Sequence, residues 1–422
     1  MQKITFTTNV AKNTLEYTKL LLESLKTNLD SNEHEILIFI DSDNEHTLEY
    51  LCSIKHEFTD LNIIKNTLDI PIGYARNKTI ITEYAKHEII SYLQSDMVIG
   101  PHYDTEILKH VKKGRILSST RVEPPLHGQS PVTFTENFGL HPSEFDFAKW
   151  NAFSNSVKRD ELIDYFFAPL TYYKEDWMRL GGYDTTFRRS REDSDFVQRC
   201  LHADIELVQT FSANVYHFTC VSSRGKGWFD QQNTEAQSRV QLQQHADRIE
   251  LNRFIRKWGN FNHGEKKLFK LDMDLVVKNC NHQTIMSLEP FFSKVWVENE
   301  EQKTSLLSEY KNLHAVANTL YGISTEDWNS YQHLYKLENF DYIIQVGEPT
   351  DYSIKITIDF NNILNQNQFL PNIQNLYDML IDSDVGEYEL DGVLVSVKHV
   401  KVSPIEIQVN NPKFDYNLLT IH

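Results

Sequence analysis

Residues 89–101 read Ile-Ile-Ser-Tyr-Leu-Gln-Ser-Asp-Met-Val-Ile-Gly-Pro. The approach Ile89, Ile90, Tyr92 and Leu93 is apolar and partly β-branched, and it runs straight into Asp96. Gly100-Pro101 then breaks the run. An apolar stretch bounded by turn residues is the pattern of a buried strand. In an open α/β sheet, ligands bind outside the carboxyl ends of the strands. The pattern therefore puts Asp96 at a binding edge. An aspartate at that place also commonly caps a helix, so its meaning depends on what the rest of the chain sets beside it.

Upstream, Ile4–Thr8 alternates as a short strand, Asn9–Asn13 reads as a turn, and a helix starts after Thr14, a candidate cap. Leu15, Leu22 and Leu25 share one face of that helix. A second strand, Glu35–Ile40, ends in Asp41-Ser42-Asp43, and Ile63-Ile64 marks a weak third. Gly73–Asn77 opens a helix reaching about Ala85, followed by the strand into Asp96. This alternation predicts a doubly wound, mostly parallel sheet. Asp41 and Asp96 each end a strand. Both could cap helices. Alternatively they face one crevice, Asp41 accepting from a nucleobase and Asp96 holding a divalent cation. Arg76 and Asn77, at a helix start between them, favour the crevice, because helix N-termini attract anions.

A chain of 422 residues predicts two domains. The net charge of -17 argues against nucleic acid and anionic membrane as partners. Cys52, Cys200, Cys220 and Cys280 form no paired motif, which fits a reducing compartment. The first residues lack the apolar core of a signal peptide, and no apolar run has membrane-spanning length. The expectation is a cytoplasmic protein with no membrane span.

Four segments together resemble a glycosyltransferase of the GT-A fold, family 2 type. They are Thr7-Thr8-Asn9, Asp41-Ser42-Asp43, Ala75-Arg76-Asn77 and Gln94-Ser95-Asp96. The last stands where that family carries its DxD motif, with Gln94 in place of the first acid. The resemblance implies that Asp96 is the direct metal ligand and that Mn2+ or Mg2+ is the cofactor. It implies that Thr7, Asp41, Arg76, Gln94 and Ser95 lie on the donor, a nucleotide-diphosphate sugar with UDP favoured.

Further along, Arg121–Gly128 carries Arg121, Glu123 and His127 on a loop stiffened by Pro124-Pro125; it is either a site wall or a connector. Trp177–Leu180 ends a helix at Gly181-Gly182-Tyr183-Asp184, where glycines let backbone approach a ligand, making Gly182 a donor-side candidate. Arg191-Glu192-Asp193-Ser194-Asp195 opens a helix over Phe196–Ala203. Acids in a first turn also serve simply as dipole caps. By the resemblance this is the acceptor-side motif, with Asp193 the base that deprotonates the acceptor hydroxyl and Glu192 second. Two short strands, Ile205–Thr210 and Ala213–Phe218, follow, and the family places a metal-binding histidine at His217. Ser222–Trp228 is glycine-rich and basic, either a solvated loop or a lid in which Arg224 and Lys226 meet a diphosphate. A long helix to Trp258 closes the resemblance.

The expected organisation is thus an α/β, GT-A (Rossmann-like, doubly wound, mostly parallel) catalytic domain over 1–260. A smaller α+β domain over 261–422 follows, open by position to oligomerisation, including a homo-oligomer, or to acceptor recognition. The implied activity is inverting transfer to a hydroxyl of a glycan. Two alternatives remain: an inactive nucleotide-sugar-binding protein, prompted by Gln94, and an enzyme acting on modified DNA bases.

Overall fold

The computed structural model describes residues 2–10, 14–41, 45–68, 72–127, 130–187, 190–219, 230, 232, 234–260, 264, 266, 269–319, 343–361, 379–380, 384–390, 393–405, 407, 409 and 418–421. The chain forms two compact units: Met1–Gln243 with Val409–His422, and Gln244–Gln408. The expected boundary at 260 thus lies inside the second unit, and the last residues return to the first.

The first unit is α/β, built on one large, mostly parallel sheet. Its strands are β1 (Ile4–Val10), β2 (Glu35–Ile40), β3 (Leu61–Asn66), β4 (Ile89–Gln94), β5 (Met97–Ile99), β6 (Arg115–Glu123), β7 (Phe134–Thr135), β8 (Leu162–Asp164), β9 (Leu170–Tyr173) and β10 (Glu206–His217). The central order is β3-β2-β1-β4, all parallel, continued by β9 and β6 through antiparallel pairings and then by β10 and β5. All six residues of β2 are buried, as expected of a strand covered on both faces. Helices α1 (Leu15–Asn28), α2 (Glu45–Ile54), α3 (Tyr74–Tyr84), α4 (Tyr103–Leu108), α5 (Phe147–Val157), α6 (Lys174–Arg179) and α7 (Glu192–His202) connect the strands. One apolar cluster joins Leu21, Leu25, Ile38 and Leu93; another joins Phe39, Ile81, Ile90, Trp177 and Phe196.

Several local expectations change. β1 runs on through Asn9 to Val10, so the turn starts later than expected. Thr14 precedes α1 but makes no side-chain cap bond; its hydroxyl is instead 3.5 Å from the Ser95 hydroxyl. Arg121 and Glu123 lie on β6, not on the proline loop, because β6 stays paired with β10 through Val122 and with β7 at Glu123. The two strands expected around 205–218 are one, β10, whose register against β6 shifts between Thr210 and Asn214. The expected break is a bulge. The final strand of the chain, Leu418–Ile421, pairs antiparallel with β3.

The second unit begins within a helix, α8 (Thr234–Trp258), and contains β11 (Phe269–Leu271), β12 (Met273–Lys278), α9 (His282–Leu288), β13 (Lys294–Val297), α10 (Glu300–Thr319), β14 (Ile344–Val346), β15 (Ile354–Asp359), β16 (Gly386–Leu390), β17 (Val393–Val397) and β18 (Val402–Pro404). The run Gly392–Val400 reads as a strand and is present as β17, which pairs antiparallel with β15 and with β16. The first four, in order β14-β13-β12-β15, are parallel, a doubly wound arrangement that the sequence reading did not anticipate. The helix expected at Thr325–Leu337, and most of that at Phe369–Ile381, lie outside the described residues. Among the described residues, no helix is long and apolar enough to cross a membrane, and Cys52, Cys200 and Cys280 are free thiols.

Inside α7, Asp195 accepts from Arg199 Nε at 2.8 Å, one turn on, and both side chains are at most 1% exposed. Arg199 Nη1 also donates to the Leu180 carbonyl at 2.5 Å, tying α7 to the end of α6. Breaking a buried pair strands one charge, at a cost of about 3–5 kcal/mol. Asp195→Ala is therefore expected to lower unfolding free energy by about that much in urea titration. A loss within experimental error would show that the pair does not hold α7.

Candidate functional site

The order β3-β2-β1-β4 reverses between β1 and β4, and in such sheets the crevice lies at the carboxyl ends of those two strands. In this chain that edge collects polar side chains. Thr7, Thr8 and Asn9 end β1, and Asn9 pairs in register with Gln94 at the end of β4. Ser95 and Asp96 form the turn from β4 to β5. Buried oxygens of Thr7, Thr8, Asn9 and Gln94, and both carboxylate oxygens of Asp96, have no hydrogen-bond partner among the described residues. Asp96 is 2% exposed.

The amino edge of the same sheet behaves oppositely. Buried Glu35 accepts from the Thr5 hydroxyl at 2.7 Å, Asn62 Nδ2 at 2.9 Å and the Lys86 amide at 2.8 Å. Buried Asp104 accepts from the Asp30 and Ser31 amides and meets His34 at 2.9 Å. A fold normally satisfies its buried acceptors. At the carboxyl edge the ends of β1 and β4, with Asp96, lack such partners among the described residues, which marks that part of the edge as the place where an external donor or cation fits.

Strand pairing brings His217 to Asp96. β5 pairs antiparallel with β10, setting His217 opposite Met97, and the Phe218 amide donates to the Asp96 carbonyl at 3.0 Å. His217 Nε2 lies 3.6 Å from Asp96 Oδ1. On the other side of the ring, Nδ1 lies 2.8 Å from Glu123 Oε1. Burial alone would push the Glu123 carboxyl up, but the hydrogen bond and charge of His217, with Arg121, hold it down at about 2. An ionised carboxylate only accepts, so Nδ1 carries a proton and the lone pair of a neutral ring sits on Nε2, toward Asp96. A lone pair and a carboxylate this close repel unless a proton or a metal ion answers both. Imidazole nitrogen and carboxylate oxygen are the donor types that Mn2+ accepts. Among the described residues no group of three or more His, Cys, Asp or Glu side chains could hold a metal alone. The residues present therefore fit a cation only as a two-ligand platform.

Glu123 was read from the sequence as a loop residue, and its contact with His217 was missed. Its signal is the register: β6 and β10 run parallel with Val122 beside Tyr216, so the next residues, Glu123 and His217, meet. Arg121, two positions earlier on the same face, reaches Glu123 at 3.1 Å and lies over the Phe167 ring at 3.8 Å. A cavity of about 190 Å3 opens here, lined by Arg121, Glu123, His127, Thr133 and Tyr165 among others.

The remaining candidates fall in three groups. Asp41 accepts from the Ile72 amide at 2.7 Å and the Gly73 amide at 3.1 Å, so its carboxylate sets the entry of α3. Burial raises its pKa, against hydrogen bonds from Asn77 and those amides, which lower it. Arg76 follows, buried in the first turn of α3. Gly182, at φ 69, donates its amide to the Trp177 carbonyl at 3.0 Å and so closes α6. Glu192 and Asp193 occupy the first turn of α7, Glu192 buried and Asp193 partly exposed, with Asp193 Oδ1 accepting the Ser194 amide at 2.6 Å. Arg224 and Lys226 lie outside the described residues, as does Asp43. The Asp96 and Glu192 sides meet across Tyr92, whose hydroxyl pKa is raised by burial first and then by the charges of Tyr172, Asp96 and Glu192.

The sequence matches no family model, and no curated protein matches it. Comparison with solved structures finds GalNAc-T7 crystallised with UDP, GalNAc and Mn2+ at 13% identity, TM-score 0.40, over 51% of this chain and 44% of that one. Residues 1–349 of S. aureus TarS align at 13% identity, TM-score 0.39, over 83% of this chain and 98% of that one. The mannosyltransferase PcManGT from Pyrobaculum calidifontis, in complex with GDP-Man and Mn2+, aligns at 14% identity, TM-score 0.38, over 58% and 64%. The chain thus spans less than two thirds of the length of the GalNAc-T7 and PcManGT chains. At this identity and these TM-scores the likenesses support no inference about activity.

Removing the charge of Asp96 removes a buried carboxylate that no described residue hydrogen-bonds. Asp96→Asn should therefore raise the stability of the metal-free protein by on the order of 1 kcal/mol. Denaturant unfolding in chelator measures this. A loss of similar size would mean the carboxylate is satisfied in solution.

Proposed function

We propose that the first unit is a divalent-metal-dependent glycosyltransferase using a nucleotide-diphosphate sugar, of the GT-A, family 2 type. The observation that carries this reading is Asp96, buried and with no hydrogen-bond partner among the described residues, 3.6 Å from His217 Nε2 at the switch point of a mostly parallel sheet. Asp96 and His217 would hold Mn2+ or Mg2+. Such ions are commonly bound by one or two protein groups plus substrate phosphate oxygens, so a two-ligand platform suffices. When bound, the ion supplies neutralisation of the charge that develops on the departing nucleoside diphosphate.

The protein's own groups account for the rest. Asp41, fixed by the Ile72 and Gly73 amides, and the end of β1 at Thr7 form the base-binding edge. Arg76 in the first turn of α3 faces the phosphates or steadies Asp41. Gln94 and Ser95 line the donor beside Asp96, and Gln94 offers an amide where an acid is usual. This keeps a hydrogen-bonding group on the donor but removes one negative charge next to the cation. Glu123 orients His217, so that Nε2 rather than Nδ1 faces the Asp96 side. Asp193, the partly exposed acid of α7, takes the proton from the acceptor hydroxyl as that oxygen attacks the anomeric carbon, with inversion. UDP is the favoured nucleotide and a glycan hydroxyl the favoured acceptor. Residues 261–422 serve acceptor recognition or self-association.

Two measurements test the reading. In a thermal-shift panel of UDP-glucose, UDP-galactose, UDP-N-acetylglucosamine and GDP-mannose, at least one donor should raise the melting temperature with Mn2+ and much less without it. Asp193→Asn should cut nucleoside diphosphate release by at least about a hundredfold while leaving nucleotide affinity unchanged. Binding without metal dependence would remove Asp96 and His217 from the mechanism, and undiminished release would remove Asp193.

A further inference from the structure

Strand alternation builds a polar wall at the end of β6. Val122 pairs with Phe134 of β7, and Glu123 pairs with Thr135. Val122 and Phe134 turn into the aromatic cluster around Trp150 and Tyr216. Successive side chains of a strand point to opposite faces. Arg121, Glu123, Thr133 and Thr135 are therefore left on the other side, and all four line the cavity of about 190 Å3. Tyr165 adds a further hydroxyl and Pro124 an apolar surface. Sites for drug-sized ligands run to about 300–1,000 Å3, so this cavity suits one small ring and not a chain of them.

The two charged groups of the wall are fixed in place and only partly used. The Arg121 guanidinium lies over the Phe167 ring at 3.8 Å, and its Nη1 approaches Glu123 Oε1 at 3.1 Å. His217 Nδ1 meets the same oxygen at 2.8 Å. Both contacts of Glu123 thus fall on Oε1, and no described residue hydrogen-bonds Oε2. A ligand here meets a guanidinium that only donates beside a carboxylate oxygen that only accepts. With the His127 imidazole neutral, the wall carries one charge of each sign. A cationic ligand would face Arg121, and an anionic one would face Glu123. A hydroxyl answers both, because it donates and accepts at once. Two hydroxyls on neighbouring carbons match the pair, and the threonine and tyrosine hydroxyls around it extend the same pattern.

We propose that this cavity seats one neutral sugar ring of the acceptor glycan, with Arg121 donating to, and Glu123 accepting from, neighbouring ring hydroxyls. The seat rests on the chemistry of the cavity. Its assignment to the acceptor rests on the glycosyltransferase reading and deepens it, by naming an uncharged sugar as the unit bound. Glu123 then serves two partners, Oε1 fixing the imidazole beside Asp96 and Oε2 holding the ring.

The test is direct binding to the full chain in chelator, read by saturation-transfer NMR. The probes are the methyl glycosides of glucose, galactose, mannose, N-acetylglucosamine and N-acetylgalactosamine. At least one should receive saturation. Its Kd should rise at least about tenfold in Arg121→Met, which removes the donor, and in Thr133→Phe, which fills the space and leaves the charged pair intact. Either variant decides the matter if the other does not fold. The uronic acid and 2-amino analogues of the sugar that binds should bind more weakly than it does. No transfer to any neutral glycoside, an unchanged Kd in the variants, or preference for a charged analogue overturns the neutral-sugar seat. Displacement of the glycoside by a donor of the panel with Mn2+ would give the ring to the donor and overturn the acceptor assignment. Variant-sensitive glycoside binding in a protein that no donor stabilises overturns the glycosyltransferase reading and the acceptor assignment together, while the sugar seat stands.

Discussion

A carboxylate buried without a donor costs several kcal/mol or is driven to take up a proton. Asp96 is buried, with both carboxylate oxygens lacking hydrogen-bond partners among the described residues. The remainder of the first unit is arranged so that this cost falls where a cation can offset it. β4 stops at Gln94, a two-residue turn exposes Asp96 to the crevice, and β5 leads the chain away again. Because β5 pairs antiparallel with β10, the last residue of β10 arrives beside the turn. That residue is His217. The fold thus puts two electron-rich atoms together, and Glu123 fixes the imidazole so that its proton is on the far side.

The bulge in β10 contributes to this placement. Phe211, Ser212 and Ala213 are inserted between the residues paired with Ser119 and Thr120. Paired residue for residue onward from Thr210 and Ser119, Asn214 rather than His217 would fall opposite Glu123, so the bulge sets which side chain meets that carboxylate. The bulge is held by side chains: the Thr120 hydroxyl donates to the Thr210 carbonyl at 2.8 Å, and Gln209 Nε2 donates to the Thr120 hydroxyl at 3.0 Å. The polar residues in the middle of β10, which look out of place in a buried strand, are what keep the distal half in register.

The sequence made the strand-and-helix alternation of residues 1–100 legible because parallel strands covered on both faces are written as unbroken apolar runs. Asp96 was visible because it interrupts such a run, and the bulge showed as a gap between two apparent strands. Glu123 was hidden because Pro124-Pro125 suggested a loop starting at Arg121, three residues before β6 ends, and only register shows which strand residue meets His217. Lys78, buried in a box of the Tyr74, Tyr92, Trp177 and Tyr183 rings, left a fainter trace. Tyr74 is one turn before it, but its other walls come from β4, α6 and the Gly182 turn, far away in sequence. The parallel strands of the second unit and the return of Leu418–Ile421 to β3 are non-local in the same way. Short β-branched runs state that a strand exists and leave its neighbour open.

One residue of the first unit interacts with both Lys78 and Asp96. Tyr92 meets Lys78 with its ring face, and its hydroxyl responds to both Asp96 and Glu192. Its backbone belongs to β4, two residues before Gln94, so a shift in that strand moves the Asp96 turn and the aromatic box together. This gives a physical reason for building the box on β4 rather than on a surface loop. A central strand, packed on both faces, deforms less than any loop in the unit. The stability given up by burying an amine and a carboxylate is then tied to the rigidity of the element they share, because the apolar packing around Ile90, Leu93 and Trp177 that offsets the cost also holds that strand in place.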